Sequence, residues 1–298
     1  MSRKYESMAL EIPIQGRNGN IRLGAVMDGS FFGWESMSMR YGLVDGAGMI
    51  PEETDKLHTH EYDQIVWLLS GDPDDMLHLG AELEVDLGEK GIRHLIATPH
   101  VIIIPKGTPH FSPIVRSIER PFYFVVMSCT AAFQAEVTDE SAMPGTGEWC
   151  RFFGEFANNV KPLTFSANDP YHYGSSRVQA SGGVSAHVNS MSTKVPLTMT
   201  WSTVYEPHNL GPWGADGKHH PHTHADFDEM LMFLSLDQNN LTDLHAVADF
   251  CVGEDGDDQE HYILTKATIM AMKKGTPHLP LTFTEVSGPT VFITCGNH

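Results

Sequence analysis

Positive charge, cysteine and long apolar runs are all scarce in this sequence, and each shortage excludes something. Lys and Arg number 19 against 38 Asp and Glu, a formal net charge of −19. A field of that sign repels phosphate backbones and anionic lipid, so neither nucleic acid nor a membrane is an expected partner. The ordinary role of such acidity is solubility, and small anionic molecules stay admissible wherever a bound cation dominates the local field. The four cysteines, Cys129, Cys150, Cys251 and Cys295, stand in no CxxC spacing, which argues against a thiolate zinc site or a redox pair. Cys129 and Cys295 each close an apolar run and read as core thiols. No run reaches the roughly 18 apolar residues of a membrane-spanning helix. Met1–Gln15 carries Arg3 and Lys4 without an apolar stretch of signal-peptide length, so a cytoplasmic location is expected. Sustained helical periodicity is missing as well.

What is present is a punctuated series of short apolar or alternating runs, with Gly 27 and Pro 18 supplying the turns. In 82–87 the alternation puts Leu83, Val85 and Leu87 on one face of a strand. Apolar runs follow at 101–104 and 122–127. The same order returns at 247–252, 269–272 and 290–294, so one unit is built twice. Met230, Met232, Met270 and Met272 lie in such runs and read as core. The expected architecture is therefore all-β, two barrels of short strands, with residues 1–140 forming the first and 141–298 the second. The polar, Gly- and Pro-rich stretch 138–147 reads as the linker. Aromatic residues beyond it (Phe152, Phe153, Phe156, Tyr171, Tyr173) are candidates for packing between the halves.

The duplication carries chemistry. His58-Thr59-His60 precedes Gly107-Thr108-Pro109-His110, and His222-Thr223-His224 precedes Gly275-Thr276-Pro277-His278. Residues two apart share a face of a strand, so each HxH pair points two imidazoles the same way, and imidazole is the commonest ligand of transition metals. The third histidine arrives after a turn that glycine allows and proline stiffens. Gln64 continues the parity of the first pair. Glu229 is its counterpart, displaced by one extra residue near Asp226 that a bulge or wider turn would absorb. Asp63 and Asp228 precede them and by alternation point away from the ion, toward the surface or toward hydrogen bonds that support the ligands. In 218–224, Pro221 disfavours extending the strand back to His220, so His219 and His220 read as loop residues. The remaining histidines, including His172, His187, His261 and His298, read as ordinary surface or core residues. Arg93, His94, His261 and Tyr262 are candidates for lining the cavities.

These residues resemble the cupin superfamily, and the doubled set resembles a bicupin. The first half carries His58, His60, Gln64 and Gly71, then Pro105, Gly107 and His110. The second carries His222, His224, Glu229, Gly275 and His278. The departures are Gln64 in the usual Glu place, Lys273 in place of the second-motif Pro, Leu236 in place of Gly, and Glu52, Asp216, Pro99 and Ala267 in place of leading glycines. The resemblance implies two double-stranded β-helix (jelly-roll) barrels. It also implies one or two divalent transition metal ions per chain, Fe, Mn, Ni or Zn. Their ligands would be His222, His224, Glu229 and His278 in the second half and His58, His60, Gln64 and His110 in the first. The most frequent implied chemistry is oxygenation of a phenolic or carboxylic substrate, with Glu229 as ligand and base. Lyase, isomerase or decarboxylase activity comes behind it, and a non-catalytic small-molecule binder is the competing class. Oxalate-degrading bicupins fit poorly, since no Arg lies in the seven residues before either HxH. Gentisate-type enzymes, with three His and no Glu, resemble the first half loosely. The expected partner is a small molecule, and exposed strand edges are compatible with a homodimer.

Overall fold

The computed structural model describes residues 3–166, 185–188, 193–210 and 215–297, so Tyr171, Tyr173, His172 and His298 lie outside the described residues. The chain divides into two units. The first unit in sequence spans Pro13–Leu163. It also takes in residues 193–196, and the second unit joins the residues up to Ile12 to those from Thr164 to Ser192 and from Leu197 onward.

In the unit 13–163, a six-stranded antiparallel sheet runs in the order Val160–Pro162, His100–Ile104, Gln64–Ser70, Phe122–Ser128, Ser38–Val44, Ile21–Met27. It faces a four-stranded sheet ordered Gly48–Met49, Ile114–Ile118, Ala81–Leu87, Ile92–Ile96. The alternating residues Leu83, Val85 and Leu87 pack against Val66, Leu68, Phe122 and Phe124. Burying such side chains from both sheets is what holds a two-layer β structure together.

The other unit repeats this plan. Its larger sheet includes Ala9–Glu11, Thr268–Met272, Asp228–Ser235, Thr290–Asn297 and Leu197–Val204, in that order. Its smaller sheet is ordered His208–Leu210, His278–Val286, Asp243–Val252, Glu260–Lys266. Phe233, Phe250, Phe283 and Phe292 form its centre, with ring centroids 5.2 Å (Phe233–Phe292) to 6.5 Å (Phe283–Phe292) apart. The four methionines of the repeat are all buried, and so is Cys295, whereas Cys129 is only half-buried.

The expected boundary near residue 140 moves in two places. Residues 141–163 stay with the first unit, where Gly145 N–H binds Asp86, the Arg93 guanidinium lies 4.0 Å over the Trp149 ring, and Val160–Pro162 adds an edge strand. Residues up to Ile12 belong to the second unit, because Ala9–Glu11 pairs with Thr268–Met272. The two additions are equivalent. Val160 pairs with Ile102 and Ala9 with Met270, so each covers the same otherwise open sheet edge.

Candidate metal centre

Each unit assembles its histidines through one set of backbone contacts. In the first, His58 and His110 exchange N–H···O bonds of 3.0 and 2.9 Å, and Gly107 N–H binds the His60 carbonyl at 2.8 Å. In the second, His222 and His278 exchange bonds of 3.0 and 3.1 Å, and Gly275 N–H binds the His224 carbonyl at 2.7 Å. Gly107 and Gly275 take φ of 75° and 78°, the left-handed region that side chains disfavour. The Asp63 carboxylate accepts from Lys106 N–H at 2.8 Å, and Asp228 accepts from Lys274 N–H at 2.9 Å. Both aspartates thus turn away from the histidines, as the alternation requires, and anchor the turn that delivers the third one.

His58, His60 and His110 come together with one ring nitrogen each, all within 4.8 Å. Their Nδ1 atoms lie against the carbonyls of Lys56 (2.8 Å), Gln134 (2.7 Å) and Thr108 (2.9 Å). Donation from Nδ1–H fixes the tautomer and leaves each Nε2 with a lone pair. All three Nε2 atoms are buried and have no hydrogen-bond partner. Burial pushes His110 well below its ordinary range, aided by His58 and His60, and lowers His60 as well. Gln64 donates from Nε2 to Ser128 Oγ at 3.2 Å, and its buried Oε1 has no partner. Three orphaned imidazole lone pairs, with a neutral oxygen donor at the Gln64 position, fit a divalent ion.

His222, His224, Glu229 and His278 likewise gather one donor atom each within 4.8 Å. His278 Nδ1 lies 2.9 Å from the Thr276 carbonyl, so its Nε2 presents a lone pair to Glu229 Oε2 at 2.9 Å. His224 Nε2 is 3.2 Å from the same oxygen and 3.1 Å from His222 Nε2. Lone-pair donors this close repel unless a cation or proton lies among them. Metal–ligand bonds of about 2.0–2.2 Å give neighbouring donors separations of about 2.8–3.6 Å between right-angle and tetrahedral geometry, so these three contacts stand at the spacing of donors around one ion. Burial raises the Glu229 carboxyl, but a proton shared with His224 or His278 in the metal-free cluster outweighs this and brings it down to about 2. His222 is pushed down to about 4, by burial first and then by His278. The site therefore offers an ionised carboxylate at Glu229 and a neutral imidazole at His222 near neutral pH.

The two sites differ in cover. His58, His60 and His110 are all at most 2% exposed. Tyr62 stacks on His60 at 4.7 Å, and Gln134 N–H reaches the Tyr62 hydroxyl at 3.2 Å. In the second unit Phe227 takes the place of Tyr62, stacking on His224 at 4.4 Å. The His224 side chain is 23% exposed, which leaves that site the more accessible.

Several neighbours of the first site have no signature in the sequence. Arg40 donates to Glu53 at 2.6 Å and lies 4.1 Å over the Phe133 ring. Its Nε is buried without a partner, as are Glu52 Oε2 and Glu53 Oε2. Arg40, Glu52 and Tyr41 also line a cavity of ≈ 190 Å³. The one hint was a cation inside an otherwise apolar strand, Ser38–Val44. Of the residues expected to line the cavities, Tyr262 lies in the core of its unit and His94 is buried. Arg93 and His261 instead pair with Glu84 and Asp249. His220 is a loop residue, held between Asp216 (2.8 Å) and Asp255 (2.6 Å).

The paired barrels, each with its histidine cluster, define a two-domain cupin fold. Solved structures with this fold include an oxalate decarboxylase from Bacillus subtilis at pH 4.6. It is 12% identical, with a TM-score of 0.61 over 100% of this chain and 77% of the other. A second oxalate decarboxylase structure, concerned with substrate binding mode and a switch of reaction specificity, is 13% identical. Its TM-score is 0.61 over 100% of this chain and 78% of the other. At such identity the likeness is one of fold. No protein-family model matches the chain, and no curated protein matches it. Among the described residues no helix is long and apolar enough to cross a membrane.

Proposed function

We propose that the chain is a metal-dependent oxidoreductase of the dioxygenase type, acting on a small phenolic or carboxylic molecule at the second unit's site. The observation that carries this reading is the convergence of His222, His224, Glu229 and His278, with donor separations of 2.9–3.2 Å, on a side open to solvent. A divalent ion held by three imidazoles and one carboxylate supplies Lewis acidity and, if redox-active, dioxygen chemistry at its open positions. The residues themselves set the charge and the geometry. Glu229 neutralises one positive charge. With a pKa brought down to about 2 it is a poor proton acceptor while it touches His224 and His278, so it can act as a base only on leaving them. The Thr276 carbonyl and the Phe227 ring fix the rings of His278 and His224.

A second reading, decarboxylation of a small carboxylic acid, is favoured by Arg40. It brings a half-buried guanidinium, paired with Glu53 but with its Nε unpartnered, to a cavity in the unit that holds the three-histidine cluster, and guanidinium is well suited to carboxylate. The test is metal analysis of anaerobically purified protein, followed by oxygen uptake on a phenolic panel and carbon dioxide release from small carboxylic acids. Oxygen uptake that His224→Ala abolishes supports the leading reading. Carbon dioxide release without oxygen consumption, abolished by His60→Ala and Arg40→Ala, replaces it with the second. Metal-free, inactive protein overturns both.

A further inference from the structure

We infer that the second unit carries another metal site, on the outer face of its smaller sheet, in which Asp249, Cys251 and His261 hold a borderline or soft divalent cation such as Zn²⁺ or Co²⁺. Ala248, Phe250 and Val252 point into the core, so Asp249 and Cys251 share the opposite face of the strand Asp243–Val252. The neighbouring strand places His261 directly across from Cys251. His261 Nδ1 lies 3.0 Å from Asp249 Oδ1, 3.0 Å from Oδ2 and 3.6 Å from Cys251 Sγ. One ring nitrogen is thus surrounded by two carboxylate oxygens and a sulfur, more acceptors than a single N–H can serve. Tetrahedral zinc with Zn–S of about 2.3 Å and Zn–N of about 2.0–2.1 Å requires an S···N separation of about 3.5–3.6 Å, so the sulfur and the nitrogen already stand at ligand spacing.

The duplication supplies an internal comparison. Gly88 N–H binds the Pro109 carbonyl as Gly253 N–H binds that of Pro277. This sets Glu84 against Asp249 and Asp86 against Cys251. Arg93, which pairs across from Asp86 as His261 does from Cys251, takes the His261 place. In the first unit the charge is balanced by protein alone. Arg93 grips Glu84 with bonds of 2.9 and 2.8 Å, and Arg116 adds a third at 3.1 Å. In the second unit neither guanidinium is kept. His261 stands for Arg93, Thr284 stands for Arg116, and a thiol replaces the Asp86 carboxylate. A fixed ion pair has become a set of oxygen, sulfur and nitrogen donors, the mixture that selects zinc-like ions.

The site is reachable, since the side chains of His261 and Asp249 are 56% and 26% exposed. Cys251 is buried, and its thiol proton leaves to solvent as the metal–sulfur bond forms. No cysteine belongs to either barrel cluster, so thiolate ligation is a signature of this site. The test is Co²⁺ titration of the metal-depleted full chain, read by the thiolate-to-cobalt charge-transfer absorption. The proposal expects that band to saturate at the amplitude of one thiolate-bound Co²⁺ per chain, beside the metal that the two barrel clusters take up. It should be lost in Cys251→Ser and in His261→Arg, which restores the first unit's ion pair at an exposed position, and kept in Cys150→Ser and in His224→Ala. Absence of the band at saturating Co²⁺, or its persistence in Cys251→Ser, overturns the proposal and leaves a hydrogen-bonded Asp249–His261 pair.

Discussion

Replacing Glu229 by Gln keeps the side-chain volume and removes the only negative charge from the four donors of the second site. A metal present at 100 times its dissociation constant stabilises the native state by about 2.7 kcal/mol. For a unit of this size that raises the unfolding midpoint by roughly 8–12 °C. Loss of a partner outside the ligand set costs about 10- to 100-fold in affinity, and loss of the anionic ligand itself is expected to cost at least the upper figure. At a 100-fold loss the same metal concentration only matches the variant's dissociation constant, and the stabilisation falls to about 0.4 kcal/mol. The metal-induced rise then shrinks to about 1–2 °C. The measurement is thermal unfolding with and without metal, in a His60→Ala, Cys251→Ser background so that neither the first site nor the outer-face site contributes. An undiminished rise in Glu229→Gln would refute the assignment of this carboxylate to the ion.

Elemental analysis should show His224→Ala depleted of second-site metal and His220→Ala fully loaded, because His220 is occupied by Asp216 and Asp255. Equal loss in both would mean that the outer loop holds the ion. Gly107→Ala and Gly275→Ala should each cost about 1–2 kcal/mol in denaturant unfolding. A Cβ there meets nothing within 4 Å, so the cost is purely that of the left-handed backbone, and no change would contradict it. Hydrogen bonding to Arg93, ahead of that to Arg116, holds Glu84 below its usual range. Its stabilisation is present above pH about 4.5 and lost as pH falls through the lowered native value. Acid titration of stability in Glu84→Gln should therefore be flatter below pH about 4.5 than in the parent, and parallel curves would remove Glu84 from the account.

The histidine clusters were legible because their geometry is local. An HxH pair shares a face whatever else the chain does, and Gly-Thr-Pro allows few turns before His110 or His278. The direction of Asp63 and Asp228 followed from the same alternation. The surroundings were not legible, because they are assembled across the sheet. Arg40 and Gln134 reach the first site from strands and loops far away in sequence. His261 meets Cys251 only through a hairpin register that bulges shift, between Asp243 and Ala248 for example. The boundary near residue 140 failed for a related reason. Composition marks a linker, but it does not show that the polar stretch after 140 returns to cover Asp86.

The pairing of Ala9–Glu11 with Thr268–Met272 has a consequence for how the molecule is made. At about 5–20 residues per second, the ribosome delivers the second member of that pair roughly 13–50 s after the first. Ala9–Glu11 therefore waits for a strand made much later in the chain. During that interval residues 13–163 can complete their own unit, while Ala9–Glu11 carries unsatisfied backbone groups and depends on its exposed Glu11 and flanking charges to stay unpaired. A fragment cut after Leu163 leaves that strand without its native partner. A fragment that starts at Thr164 lacks the strand that closes its sheet edge.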